Sequence, residues 1–195
     1  MPGGDQSGTT AGATQVSSLA LVGFMGAGKS AVGMGVARRR GLPFVDSDTV
    51  IEEQMGPIAE IFAVHGEAHF RDAERDVCTA LLEQARAEPM VVSLGGGAVL
   101  SGDVREALHG VAHVAWLTAP PDVLWERVAA GGEAAVRPLA RDRAAFAALL
   151  AEREPLYREV ATVIVENGAG RAVDEVVDEL VRLTEPRAAA RREGD

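Results

Sequence analysis

The chain has 195 residues, 47% hydrophobic and 25% charged, with a net charge of −10 and a pI near 4.9. That length suits one domain with a full core, and the acidic balance argues against a general nucleic-acid or membrane surface, so an anionic substrate must meet a local cluster of basic residues. A single cysteine, Cys78, excludes an internal disulfide and fits a reducing compartment, and no run of about 18 apolar residues offers a membrane span.

Residues 1–17 are rich in Gly, Ser and Thr, with neither a basic start nor an apolar centre, so they read as a disordered leader and not as a signal peptide. Leu19 to Val22 is a short apolar strand that runs into Gly23-Phe-Met-Gly-Ala-Gly-Lys-Ser30. Two glycines separated by four residues, then Lys and a hydroxyl residue, make the pattern of a phosphate-binding loop. Strand, glycine turn and helix N-terminus aim several backbone N–H groups at one place, where an anion is favoured. Gly26, Ala27, Gly28, Lys29, Ser30 and Ala31 are the expected nucleotide contacts, with Gly26 and Gly28 leaving room for phosphate to approach the backbone. Lys29 is expected to reach the β- and γ-phosphates and Ser30 to take a place on Mg²⁺. All other basic residues of the chain are Arg, so its one Lys stands in the slot that needs a compact, mobile ammonium.

Helical periodicity from Ser30 to Arg40 stops at Gly41, and Leu42 to Val45 forms the next strand. Asp46 and Asp48 follow at its carboxyl end and, in an extended segment, point the same way. One can serve Mg²⁺ through water and the other an incoming hydroxyl; capping of the next helix by Asp46 or Ser47 is the plainer alternative. Helices over 49–55, 58–64 and 67–87 are broken by Gly56-Pro57 and Gly66. Arg71 and Glu74 share a face of the last, either as a surface pair or as an arginine held ready for a carboxylate. Met90 to Ser93 is a strand ending in Gly95-Gly-Gly97, which either brings backbone to a ligand or is a plain turn.

A helix near 103–108 leads to a strand over 111–117 and a helix over 121–130. Gly131-Gly132 then reads as the hinge of a mobile lid, about 131–143, that carries Arg137 and excludes water. A helix to about Glu159 bears Arg153, a fifth strand spans 161–165, and an amphipathic helix spans 173–183 before a flexible tail over 186–195. Glycine interrupts both histidine pairs, His65/His69 and His109/His113, so neither offers a metal face. Gly33 and Gly35 lie inside a helix as packing positions, Trp116 and Trp125 belong to the core, and Cys78 is structural. Apolar strands alternating with helices predict a three-layer α/β/α domain over 18–185 with a five-stranded parallel sheet. Ligands bind beyond the carboxyl ends of such strands, where the P-loop, the two aspartates and the triple glycine all fall.

These stretches together resemble the shikimate kinase family from about Leu19 to Leu183, adding Glu60-Ile-Phe, Gly66-Glu67, Phe70-Arg71, Val136-Arg-Pro-Leu139 and Arg153-Glu-Pro-Leu-Tyr157 to the motifs above. The resemblance implies a P-loop kinase of the nucleoside-monophosphate-kinase type that moves the γ-phosphoryl of ATP to the 3-hydroxyl of shikimate. It implies Arg71 and Arg153 on the shikimate carboxylate, Asp48 on the ring hydroxyls and as an aid to deprotonation, and Gly95, Gly96 and Gly97 against the ring. Ser30 and Asp46 would serve Mg²⁺, and Arg137 would close over the phosphates, giving Lys29, Asp48 and Arg137 as the catalytic set. The chain departs from the family pattern at Ala31, where many relatives have Thr, at Ala130, seven before Arg137, and at Gly170, where an Arg often flanks adenine. A cytoplasmic monomer is expected, with ATP and shikimate as partners and neither nucleic acid nor membrane. A gluconate-type kinase, a non-catalytic shikimate sensor and a nucleotide-dependent switch are the alternatives.

Overall fold

The computed structural model describes residues 16–131 and 142–185. Five strands, β1 (Leu19–Val22), β2 (Phe44–Asp46), β3 (Val91–Ser93), β4 (His113–Thr118) and β5 (Val163–Glu166), form one all-parallel sheet in the order β2-β3-β1-β4-β5. The helices are α1 (Lys29–Arg40), α2 (Ser47–Met55), α3 (Ile58–Ala87), α4 (Gly102–Leu108), α5 (Pro121–Gly131), α6 (Arg143–Val160) and α7 (Val173–Leu183). Every residue of β1 and β3 is buried, as strands covered by helices on both faces require.

The chain leaves β1 towards β2, then returns through β3 and crosses to β4. With right-handed crossovers this reversal sends α1 to one face and the β3–β4 connection to the other. The crevice therefore opens beyond β1, at the switch point where ligands of such sheets bind. Asp46 aligns with Ser93, and Ser93 with Leu21, so the P-loop, Asp46 and the triple glycine leave the sheet at one level.

β5 spans Val163–Glu166 where the sequence suggests 161–165, and three further element starts shift by two residues for local reasons. β2 starts at Phe44 because the Leu42 N–H closes the end of α1 on the Ala37 carbonyl, with Gly41 left-handed at φ 66. β4 starts at His113 because the Val111 N–H turns back to the Leu108 carbonyl. α2 starts at Ser47 because the Asp46 carboxylate caps it, accepting the Asp48 N–H at 3.0 Å. The break at Gly66 is present as a kink within α3 (φ 80, ψ 172).

Candidate active site

Gly28, left-handed at φ 85, is the N-cap of α1, so the helix offers its first N–H groups to the cleft without a side-chain cap. The glycines here have a reason beyond room for phosphate. A Cβ on Gly26 would stand 2.7 Å from the Leu124 carbonyl oxygen, and one on Gly28 would stand 2.6 Å from Asn167 Nδ2. Neighbouring backbone and a buried amide thus leave no space for a side chain. Lys29 Nζ curls back to donate to the carbonyls of Gly23 (2.9 Å) and Phe24 (3.2 Å).

Ser30 and Asp46 meet directly, the hydroxyl donating to Asp46 Oδ2 at 2.6 Å. Asp46 therefore both caps α2 and faces the P-loop, so capping does not take it away from the cleft. Asp48 stands in the first turn of α2 and not in an extended segment, which corrects the basis on which the two carboxylates were paired. It remains half-buried on the cleft wall with Asp46 and Ile58.

The triple glycine is where the remaining side chains gather. A Cβ on Gly95 would fall 2.6 Å from both Asp48 Oδ1 and Glu74 Oε1, and one on Gly97 would fall 2.0 Å from Arg71 Nη1. Arg71 Nη1 pairs with buried Glu74 at 2.6 Å, and its Nη2 reaches Glu67 at 3.1 Å. Arg153 arrives from α6, only 3% exposed, with Nη1 donating to the Gly96 carbonyl at 3.2 Å and its guanidinium over the Phe24 ring. Burial pulls the Arg153 pKa down, and Arg71 adds to this while Tyr157 and Glu74 oppose it. Its Nε has no hydrogen-bond partner among the described residues, a state a buried donor does not keep cheaply.

A cleft of about 650 Å³ runs from the P-loop past Asp46 and Asp48 to Gly96. Arg71 opens instead into a second cavity of about 410 Å³ with Glu67, Glu74 and Gly97. Arg153 lies behind Gly96. Neither arginine lines the cleft itself: both stand at the triple glycine, Arg71 facing the second cavity and Arg153 buried against the Gly96 carbonyl. Arg137, with most of the lid stretch, lies outside the described residues.

One residue was missed. Counting seven back from Arg137 lands on Ala130, yet Arg127 of α5 lines the cleft and donates to the carbonyls of Asn167 (2.8 Å), Gly168 (3.1 Å) and Gly26 (3.4 Å). Fixed spacing hid it; only the fold shows that α5 brings Arg127 beside the P-loop. No group of three or more metal-ligating His, Cys, Asp or Glu residues occurs among the described residues, and none of their helices is long and apolar enough to cross a membrane. Trp116 is buried, whereas Trp125 is only partly buried, edge-on to Phe146.

Comparison with known proteins adds independent findings. The family described as "Shikimate kinase" matches residues 25–185. A shikimate kinase of Mycobacterium avium is 44% identical over 176 residues, covering 87% of this chain and 96% of the relative. Another, from Nitrobacter winogradskyi, is 41% identical over 167 residues, covering 85% and 76%. Among solved structures, the shikimate kinase from Acinetobacter baumannii in complex with shikimate aligns at a TM-score of 0.77 and 33% identity, covering 87% of this chain and 93% of that one. A gluconokinase from Sinorhizobium meliloti shares the fold, with a TM-score of 0.54 and 21% identity over 86% of this chain and 93% of that one.

Proposed function

The chain belongs to the shikimate kinase family, and on that premise we propose that the P-loop and the residues gathered at Gly95–Gly97 carry out its reaction. The enzyme transfers the γ-phosphoryl group of ATP to the 3-hydroxyl of shikimate, giving shikimate 3-phosphate and ADP. Phosphoryl transfer of this kind needs positioning and charge stabilisation more than covalent chemistry.

Lys29 leaves its loop carbonyls to take the β- and γ-phosphate oxygens, while the N–H groups from Gly26 to Ala31 seat the phosphates. Ser30 and Asp46, a hydroxyl and a carboxylate in contact at 2.6 Å, are the hard oxygen donors that Mg²⁺ prefers. These two residues would hold Mg²⁺, which would supply positive charge against the charge developing on the phosphates. Asp48 accepts from the ring hydroxyls and takes the proton of the attacking 3-hydroxyl. Arg71, held by Glu74, and Arg153, through its Nε, grip the carboxylate of the acid, and Gly95 to Gly97 lie against the ring. Arg137, outside the described residues, would meet the phosphates as the family resemblance implies, and Arg127 ties the P-loop to the Asn167–Gly168 backbone. Residues 18–185 act as a single domain between leader and tail, as a cytoplasmic monomer with small-molecule partners alone.

The observation that carries this reading is the meeting of two arginines, from α3 and α6, at one glycine turn beside Asp48. A coupled assay of ADP release from Mg²⁺-ATP tests it. Release is expected with shikimate, and little without an acceptor or with gluconate. Equal release with and without shikimate would point to a hydrolytic switch, and a gluconate requirement to the other kinase.

A further inference from the structure

Tyr157 is the only tyrosine of the chain and takes no part in the steps above. It stands one turn after Arg153 on α6, so both side chains leave the same face. Both end on one atom: the Gly96 carbonyl accepts from the Tyr157 hydroxyl at 2.5 Å and from Arg153 Nη1 at 3.2 Å. The ring is fully buried and stacks on Trp116 at 6.0 Å between centroids. Phenylalanine would fill the same space, so what the hydroxyl adds is this bond. Burial pushes the phenol pKa up, so the proton stays on and is donated to Gly96 throughout the working range.

The rest of the turn is tied down as well. Gly95 N–H donates to Ser47 Oγ at 2.9 Å, and the Gly95 carbonyl accepts the Ala98 N–H at 3.1 Å. Among the described residues, the Gly96 and Gly97 N–H groups donate to none. A carbonyl that accepts two hydrogen bonds, one from a cation, polarises its peptide and strengthens the N–H at the other end, here that of Gly97. We propose that Tyr157 is a positioning residue of the acceptor site: its hydroxyl fixes the Gly96 carbonyl and so aligns both the Gly96–Gly97 peptide and Arg153 for the acid substrate. This rests on reading Gly95–Gly97 as the acceptor turn.

Tyr157→Phe keeps the ring and removes the bond. The expected result is a KM for shikimate raised about five- to tenfold, the yield of one buried hydrogen bond, with KM for ATP within about twofold of wild type. A lower melting temperature with both KM values unchanged, or both raised alike, would mean a packing role only and would overturn the proposal. A second measurement needs no altered fold. With one tyrosine in the chain, 3-fluorotyrosine labelling gives a single ¹⁹F resonance. Shikimate without nucleotide is expected to shift it and Mg²⁺-ADP alone to leave it in place; a resonance unmoved by saturating shikimate overturns the proposal. Absence of shikimate-dependent ADP release in the wild type would sink the functional reading itself. An active wild type with an unaltered Tyr157→Phe would sink Tyr157 alone.

Discussion

In the proposed function, Lys29 is the residue on which transfer would depend most directly, because its ammonium is the positive charge that starts α1 at the P-loop. Lys29→Ala is expected to lower kcat on the order of 10²–10³-fold or more while leaving shikimate affinity unchanged, as measured by turnover and by titration without nucleotide. Cys78 gives the opposite expectation. It is fully buried, and burial, with Glu74 adding to it, raises its thiol pKa far above the ordinary value. The reactive thiolate is therefore scarce, and a thiol-alkylating reagent should leave the native protein unmodified and fully active; rapid labelling would contradict the burial. Lys29, Ser30 and the Arg71–Glu74 pair were legible in the chain because each belongs to a short local pattern. Arg127 was not, since its partners Gly26, Asn167 and Gly168 are far away in sequence.

At the scale of elements, α1 is positioned by what it lacks. A Cβ on Gly33 would stand 2.5 Å from the Phe44 ring, and one on Gly35 would stand 2.5 Å from Val177 Cγ2 of α7. Small residues here let α1 approach the sheet and α7 closely, which carries the P-loop to its height above β1. Gly35→Ala overpacks that contact and is expected to cost about 1–3 kcal/mol, a fall of several degrees in thermal melts, with KM values unchanged. A melting temperature equal to wild type would mean that the helices can separate freely. The alternation of strands and helices could be read because apolar runs and glycine stops mark it. Element starts were less legible: the cap on α2 could be narrowed only to Asp46 or Ser47, and Leu42 closes α1 through a hydrogen bond that leaves no periodicity.

The molecule as a whole is acidic, yet it gathers Lys29, Arg71, Arg127 and Arg153 at the carboxyl ends of its strands, so under the proposed function anionic substrates would be met through local placement and not through net charge. At the other end of the sheet, burial, with Arg40 adding to it, holds the His113 imidazole below its ordinary value. The unfolded chain takes up that proton near pH 6.5, the folded chain only at lower pH. His113 thus contributes stability that is present above about pH 6.5 and lost as pH falls through its folded value. His113→Gln should lose less melting temperature than wild type between pH 7 and pH 5, and an identical slope would refute this. The convergence of α3 and α6 on the triple glycine could not be read from residues or spacing, because Arg71 and Arg153 share no local pattern; family resemblance alone paired them.

That pairing is the central claim, and calorimetric titration of shikimate into wild type, Arg71→Ala, Arg153→Ala and Lys29→Ala tests it most directly. Each arginine variant is predicted to bind shikimate about ten- to a hundredfold more weakly, the loss of one charge-assisted bond, while Lys29→Ala binds as wild type does. Wild-type affinity in both arginine variants would contradict it.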